Sequence, residues 1–317
     1  MRITVHAKPE AERKPLPADE NQLGFGKTFT DHMFLMDYSA GEWKNPRIEP
    51  YGSLTLDPAA LVLHYGQEIF EGMKAYRQEN SQEVSFFRPE KNAQRMNRSA
   101  ERMSMPTLEP TDFLEALHAI VRIDQRWAPS SLGTALYIRP TMIATEAALG
   151  LRTSQEYLFY IILCSVGPYF PEGFKPIKIY VELEYVRAVE GGIGEAKTGG
   201  NYAASLLATR KGHSLGCGQV LWLDAVHHKF VEEAGTMNQF FVIDGVIYTA
   251  PLSGTILHGI TRESVIQLSR DQGYSLKEEQ ISIDTIIEGI QSGNLTEAFG
   301  VGTAAAIAPV GEIYYRD

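Results

Sequence analysis

The stretch YLFYIILCSV (Tyr157–Val166) carries no charge and is built from aromatic, β-branched and other apolar side chains. A spanning helix needs about 20 apolar residues, so this run is too short to cross a bilayer. Its length and composition read instead as a β-strand covered on both faces. Such a strand needs a large core around it. At 317 residues and 44% hydrophobic content the chain can supply one, and its length favours two domains. The run ends in GPYFPEGFKP (167–176), whose prolines and glycines break every periodicity. We therefore expect a first domain over 1–166, a linker over 167–177 and a second domain over 178–317.

Charged residues make up 21% of the chain, the formal net charge is -10, and no basic block is present that could neutralise a phosphate backbone. Nucleic acid and membrane are not expected as partners. The opening MRITVHAKPEAERKPLPADENQ is polar, so it reads as neither a secretory nor an organelle-targeting peptide, and a cytoplasmic protein is the expectation. Cys164 and Cys217 are too few for a disulfide framework and lack metal spacing; both are expected as buried thiols. His227 and His228 in DAVHHKF read as a hairpin turn and not as metal ligands, because neighbouring strand side chains point to opposite faces.

EVSFFR (83–88), TALYIRPTMIAT, IKIYVELEYVRA and GQVLWLDA have strand composition, and FFVIDGVIYTA reads as a hairpin turning at Asp244-Gly245. KNAQRMNRSAERM and TDFLEALHAIVRIDQRW have helical spacing, with Thr111 as an expected N-cap. GITRESVIQLSRDQG and SIDTIIEGIQSG are expected helices that end near glycines.

Lys197 lies in GEAKTGGNYAASLLATRKG (194–212), among glycines and alanines that leave room for something to lie against it. An isolated loop lysine is more often a solvated one, but a desolvated lysine is a nucleophile and a base. Further along, HGITRES offers Gly259 followed by a helix start at Ile260 and Thr261, where main-chain N–H groups without internal partners suit a phosphate; an ordinary helix cap is the alternative. VGTAAAI offers a second seat of the same kind.

LHYGQEIFEGMKAY, FRPEKNAQRM, YIRP, EAKTGGNYAASLLA, EEAGTMNQFF, GITRES and GTAAAIAPVGEI, in this order, resemble the branched-chain amino acid aminotransferases, class IV pyridoxal-phosphate enzymes, and within them a human-like bacterial subgroup. The likeness runs from about residue 50 onward. It implies an α+β fold of type IV, like that of D-amino acid aminotransferase: a smaller N-terminal α/β domain and a larger C-terminal β-barrel-like domain with helices. It also implies pyridoxal 5'-phosphate as cofactor and Lys197 as the Schiff-base lysine. Glu233 would face the pyridine nitrogen, with the adjacent Glu232 on the other face of the strand, and Tyr202 would hydrogen-bond the ring's phenolic oxygen. Arg95 would grip the phosphate, with Arg88 and Arg98 as nearby decoys, and Ile260, Thr261 and Thr303 would complete the cup.

On the substrate side the resemblance points to Tyr65, Phe70, Tyr137, Arg139, Thr236, Thr303 and Ala304, Tyr65 reaching over from a partner subunit. Tyr137 and Arg139, two apart, share a face if their segment is a strand. Core packing is the plainer reading of Tyr65 and Phe70. The implied reaction moves the amino group of L-leucine, L-isoleucine or L-valine to 2-oxoglutarate by a ping-pong scheme, giving L-glutamate and branched 2-oxo acids. Relatives are dimers, so a homodimer or larger even assembly is expected. The redox cysteine pair of mammalian members has no counterpart in GTAAAIAPV, so no thiol switch is expected there. A D-amino acid aminotransferase, an aminodeoxychorismate lyase or a non-catalytic protein of the same fold would keep many of these residues and differ in the pocket.

Overall fold

Strands β7 (Ala135–Ala144) and β8 (Tyr157–Val166) pair antiparallel along their whole lengths, from Ala135 opposite Val166 to Ala144 opposite Tyr157. They sit at the centre of the first of two units in this computed structural model, which describes residues 1–79, 81, 83–167 and 175–316. The first unit comprises Met1–Pro171 with Lys197–Gly199, and the second Glu172–Ala196 with Gly200–Asp317. The linker expected over 167–177 falls largely on 168–174, outside the described residues.

In the first unit, β1 (Thr4–Val5), β2 (Thr28–Ser39), β3 (Glu42–Pro50), β4 (Glu68–Phe70), β5 (Met73–Arg77) and β6 (Val84–Phe86) join β7 and β8 in a sheet of order β1-β3-β2-β8-β7-β5-β6, with β4 also on β7. The helices are the short α1 (Leu61–Tyr65), α2 (Pro89–Arg102) and α3 (Pro110–Ile123). Phe113, Ala116, Leu117 and Ile120 make the apolar stripe of α3 and pack with Phe34, Phe159, Ile161 and Leu163 of the sheet. Truncating Phe159 to alanine would cost about 3–5 kcal/mol. Only the last four residues of β8, Leu163–Val166, are buried without alternation; before them Leu158, Tyr160 and Ile162 are half-buried, so the expected cover on both faces holds for part of the strand.

Thr111 is not the N-cap. Glu109 takes that position, Pro110 with its preset φ opens the helix, and no side chain caps it. The sequence reading passed over β2 and β3 because β2 buries the polar residues Thr30, Asp31 and His32. There the β2–β8 register shifts between Phe29 and Met33, and the residues of the irregularity find partners. Asp31 accepts from Arg126, Trp127 and Lys14 N, while His32 pairs with Asp124 at 2.7 Å. Burial opposes the charge of Asp31, but these donors outweigh it and hold the carboxyl down at about 2.

The second unit holds β9 (Ile177–Val181), α4 (Gly199–Ser214, its first residue grouped with the first unit), β10 (Gln219–Leu223), β11 (Val231–Ala234), β12 (Met237–Ile243), β13 (Val246–Thr249), α5 (Ile260–Asp271), β14 (Leu276–Glu278), α6 (Ile283–Ser292), β15 (Leu295–Gly302) and β16 (Ala306–Tyr314). The order β11-β10-β9-β16-β15-β12 closes on itself through β11–β12, a barrel from which β13 and β14 extend. Alternate residues feed two cores. Ile179, Val181, Leu221 and Leu223 pack with Ile283 and Ile286 of α6, and Tyr180, Val220 and Trp222 pack with Ala208 of α4.

β9 stops at Val181, short of the strand expected through Ala188, because the Glu182 side chain accepts from the main-chain nitrogens of Glu184 and Tyr185 and turns the chain. Asp244 and Gly245, both at positive φ (49° and 75°), turn the β12–β13 hairpin as their sequence requires. His227 and His228 lie in a turn whose main-chain nitrogens converge on Asp224. Cys164 and Cys217 are buried free thiols. Among the described residues no helix is long and apolar enough to cross a membrane.

Candidate active site

Lys197 is half-buried and anchored through its main chain. Its nitrogen donates to Ser99 Oγ at 2.9 Å, and its carbonyl accepts from Phe70 N at 2.9 Å. One residue on, the Thr198 hydroxyl donates to the Glu68 carbonyl at 2.7 Å. A Cβ at Gly199 would meet the end of the Glu68 side chain, so a larger residue at this junction into α4 would displace that carboxylate. Burial pushes the Glu68 carboxyl up, against the Gly199 N–H and Arg139. Lys197 Nζ lies 4.9 Å over the Phe70 ring.

Phe70 ends β4, opposite Thr141 of β7. The Arg139 guanidinium sits 4.7 Å from its ring centroid and donates through Nη2 to Tyr137 Oη at 2.8 Å, so these two β7 residues share a face. The buried Arg139 Nε has no hydrogen-bond partner. Tyr137 Oη occupies the space a Cβ on Gly72 would need. Tyr65 is exposed, at the end of α1, its hydroxyl bonded to the Leu149 carbonyl.

Helix α2 sorts its arginines by face. Arg98 is exposed, Arg88 is the residue before the helix at φ 50°, and Arg95 is buried. Arg95 Nε and Nη2 bind Glu71 Oε1 and Oε2 at 2.7 and 2.8 Å, a bidentate pair. Burial works against the charge of Glu71, but Arg95, Lys197 and Asn92 outweigh it and hold the carboxyl below its ordinary range. Asn92, Arg95 and Ser99, spaced three and four apart, lie on one side of the helix.

In the second unit, Glu233 of β11 is buried and lies opposite Asn238 of β12. Its Oε1 accepts from Asn238 Nδ2 at 2.8 Å and Leu257 N at 3.1 Å, and its Oε2 is 2.8 Å from Arg187 Nε. That last contact is an ion pair too poorly aligned to count as a hydrogen bond, since Arg187 Nε has no hydrogen-bond partner. Arg187 Nη2 also binds the carbonyls of Gly194 and Thr255. Asn201 of α4 holds the carbonyls of Ile193 and Ala196 at 2.8 and 2.9 Å, fixing the segment that precedes Lys197. Glu232 is buried too; Thr255 Oγ1 donates to its Oε1 at 2.5 Å, and Oε2 has no partner. Burial raises the Glu232 carboxyl to about 7, reinforced by Glu233 and Asp224 against Thr255 and Arg187.

Asn238 is also opposite Val301 of β15, so β12 lies between the Glu233 strand and the strand leading to Thr303. Thr236 is exposed in the two-residue turn Gly235-Thr236, whose carbonyl is close to Gly302. Thr303 and Ala304 lie half-buried in the turn between β15 and β16. Ile260 and Thr261 open α5 behind Gly259, and no side chain caps that helix. Gly259 is pressed against the Asn238 side chain, leaving no room for a Cβ. Tyr202 is half-buried in the first turn of α4. Thus Lys197, Phe70, Tyr137, Arg139, Arg95 and Tyr65 belong to the first unit, and Tyr202, Glu233, Thr236, Ile260, Thr261, Thr303 and Ala304 to the second. The sequence reading missed Glu71, Ser99, Arg187 and Asn238. Glu71 stood inside the quoted FEG segment, and Ser99 one helical turn beyond Arg95. Among the described residues no cluster of three or more His, Cys, Asp or Glu could hold a metal ion.

The amino-transferase class IV model matches residues 68–313. A branched-chain-amino-acid transaminase 1 of Bacillus subtilis (strain 168) is 55% identical over 297 residues, 93% of this chain and 83% of that protein. The crystal structure of a branched-chain aminotransferase from the thermophilic archaeon Thermoproteus uzoniensis with norvaline is similar at a TM-score of 0.73 and 27% identity, over 90% of each chain. The T.th. branched-chain amino acid aminotransferase complexed with N-(5'-phosphopyridoxyl)-L-glutamate is similar at 0.70 and 28%, over 88% of this chain and 85% of that one.

Proposed function

Because the chain belongs to the amino-transferase class IV family, we infer that it is a branched-chain amino acid aminotransferase with pyridoxal 5'-phosphate as its cofactor. It transfers the amino group of L-leucine, L-isoleucine or L-valine to 2-oxoglutarate. The observation that carries this reading to particular residues is the anchoring of Lys197, whose main-chain N–H and carbonyl are both bound while its amine stays half-buried over Phe70.

Each unit by itself carries groups of the kinds the cofactor takes. The first unit offers an amine and a buried arginine; the second offers a buried carboxylate, a helix start without a side-chain cap and a threonine hydroxyl. When bound, pyridoxal phosphate supplies an aldehyde that takes up an amine and a ring that accepts the electron pair left as a Cα–H bond breaks. Lys197 is assigned the amine; its Nζ would take the α-proton of the amino acid as base and then give it up as acid to the carbon of the cofactor's aldehyde, not back to Cα. Glu233 would accept from a ring N–H, and Tyr202 would donate to the ring oxygen. Arg95, the main-chain N–H groups of Ile260 and Thr261 and the Thr303 hydroxyl would bind phosphate.

Tyr65, Phe70 and Tyr137 would wall an aliphatic side chain, and Thr236, Thr303 and Ala304 would orient the carboxylate. Arg139, with Tyr137, would receive the second carboxylate of 2-oxoglutarate, which an apolar wall alone would reject. The division into a first domain over 1–166 and a cofactor-holding domain over 178–317 belongs to the same proposal, as does a homodimeric or larger even assembly. Two buried free thiols suit a cytoplasmic setting.

The test is an absorption spectrum of the purified protein loaded with pyridoxal phosphate. Its visible band should bleach with L-leucine, return with 2-oxoglutarate and be missing from a Lys197→Ala variant. Bleaching by D-alanine alone would overturn the substrate assignment and leave the cofactor assignment standing.

A further inference from the structure

We infer that Glu71 is the positioning residue for Arg95, holding its guanidinium in the one orientation that meets the cofactor's phosphate. The inference rests on the phosphate-binding role proposed above for Arg95. Glu71 is fully buried, and both of its oxygens are engaged. Two parallel bonds of 2.7 and 2.8 Å join them to Arg95 Nε and Nη2, Asn92 Nδ2 donates to Oε2 at 2.7 Å, and Gly72 N does so at 3.2 Å. A carboxylate facing the guanidinium fork in this way fixes the plane and rotation of the group, which a single contact would not.

The carboxylate is itself held rigidly. Glu71 N donates to the Pro140 carbonyl at 2.8 Å, next to Arg139, and the preceding residue, Phe70, donates to the Lys197 carbonyl. Two consecutive main-chain nitrogens therefore tie the base of Glu71 to β7 and to the lysine. As a source of stability the pair is a poor choice, since a well-packed apolar replacement for a buried ion pair is often neutral or stabilising. What an apolar residue could not do is orient the charge of Arg95. Asn92, one helical turn before Arg95, braces the carboxylate from the same helix, so α2 carries both the arginine and a support for its partner.

The experiment compares the enzyme loaded with pyridoxal phosphate and with pyridoxal, which lacks the phosphate, and follows cofactor release on dilution by its absorption. Glu71→Gln keeps the shape and removes the charge. It should release pyridoxal phosphate roughly tenfold faster or more, the scale of one charge-assisted hydrogen bond, and leave pyridoxal release unchanged. Glu71→Asp, which restores the charge, should recover part of the loss. Arg95→Gln should show the same selectivity more strongly. Equal acceleration for both cofactors, or none in Glu71→Gln, would overturn the role of Glu71 while a selective Arg95→Gln kept that of Arg95. An Arg95→Gln variant that did not discriminate would overturn both. Should Glu71→Gln fail to fold, Glu71→Asp decides alone: its shortened reach should quicken release of pyridoxal phosphate selectively, and an unselective effect refutes the assignment.

Discussion

The main-chain nitrogen of Lys197 donates to Ser99 Oγ at 2.9 Å across 98 positions of sequence. Ser99 lies one helical turn after Arg95 on α2, so one helix fixes both the backbone of the lysine and the arginine's place. Ser99→Ala leaves a main-chain N–H without its partner. We expect a stability loss of about 1 kcal/mol by thermal unfolding, with cofactor still bound by absorbance and kcat for L-leucine lowered more than KM is raised.

Arg187 should behave as a structural clasp around Glu233. It supplies the ion pair to Oε2 and also binds the carbonyls of Gly194 and Thr255. Arg187→Met removes the positive partner of a buried carboxylate, which costs about 3–5 kcal/mol. The thermal midpoint should fall accordingly, and Arg187→Lys should recover only part because it cannot span the same acceptors. A midpoint unchanged in Arg187→Met would contradict the clasp.

Glu232 gives a pH dependence with a definite sign. Its carboxyl titrates near 7 in the fold, against an ordinary 4.5, chiefly because it is buried. The folded state therefore keeps a proton that the unfolded chain has already released, and stability drains away as pH rises from about 4.5 through about 7. The penalty reaches up to about 3 kcal/mol above that window. Glu232→Gln cannot lose the proton. Its thermal midpoint should match the parent near pH 4.5 and exceed it at pH 8; a constant difference at all pH values would refute this account.

Arg139 carries the prediction about substrates. Its guanidinium stacks on Phe70 and donates to Tyr137, with Nε buried and without a partner. Arg139→Gln should lower kcat/KM for 2-oxoglutarate by at least tenfold more than for L-leucine, since one loses a counter-charge and the other does not. Equal losses would remove Arg139 from the dicarboxylate role.

The β7–β8 pair, α2, α3, α5, α6 and the Asp244-Gly245 turn were legible because each writes its period or turn chemistry locally. β2 was not, because Asp31 and His32 break its apolar pattern and find their partners at Arg126, Trp127 and Asp124, about ninety positions away. The family segments drew attention to Lys197, Arg95 and Glu233, but not to what holds them. Glu71 and Arg95 are 24 positions apart, and no spacing rule joins a residue after a strand to one inside a helix. Glu232 and Glu233 differ in the same way: both are buried, and only three-dimensional contacts show that one is clasped by donors while the other keeps an oxygen without any.

Because Lys197 is moored at its nitrogen and its carbonyl, and through the Thr198 hydroxyl just beyond, only its side-chain torsions are left to swing. Its amine is a reagent on a short tether. In the Schiff-base role proposed for it, the amine displaced by an incoming amino acid would not diffuse away, and its effective concentration on return would approach the roughly 10⁵–10⁸ M reached by well-oriented intramolecular groups. A small amine added to a Lys197→Ala variant could restore the proton-carrying chemistry, but never that local abundance.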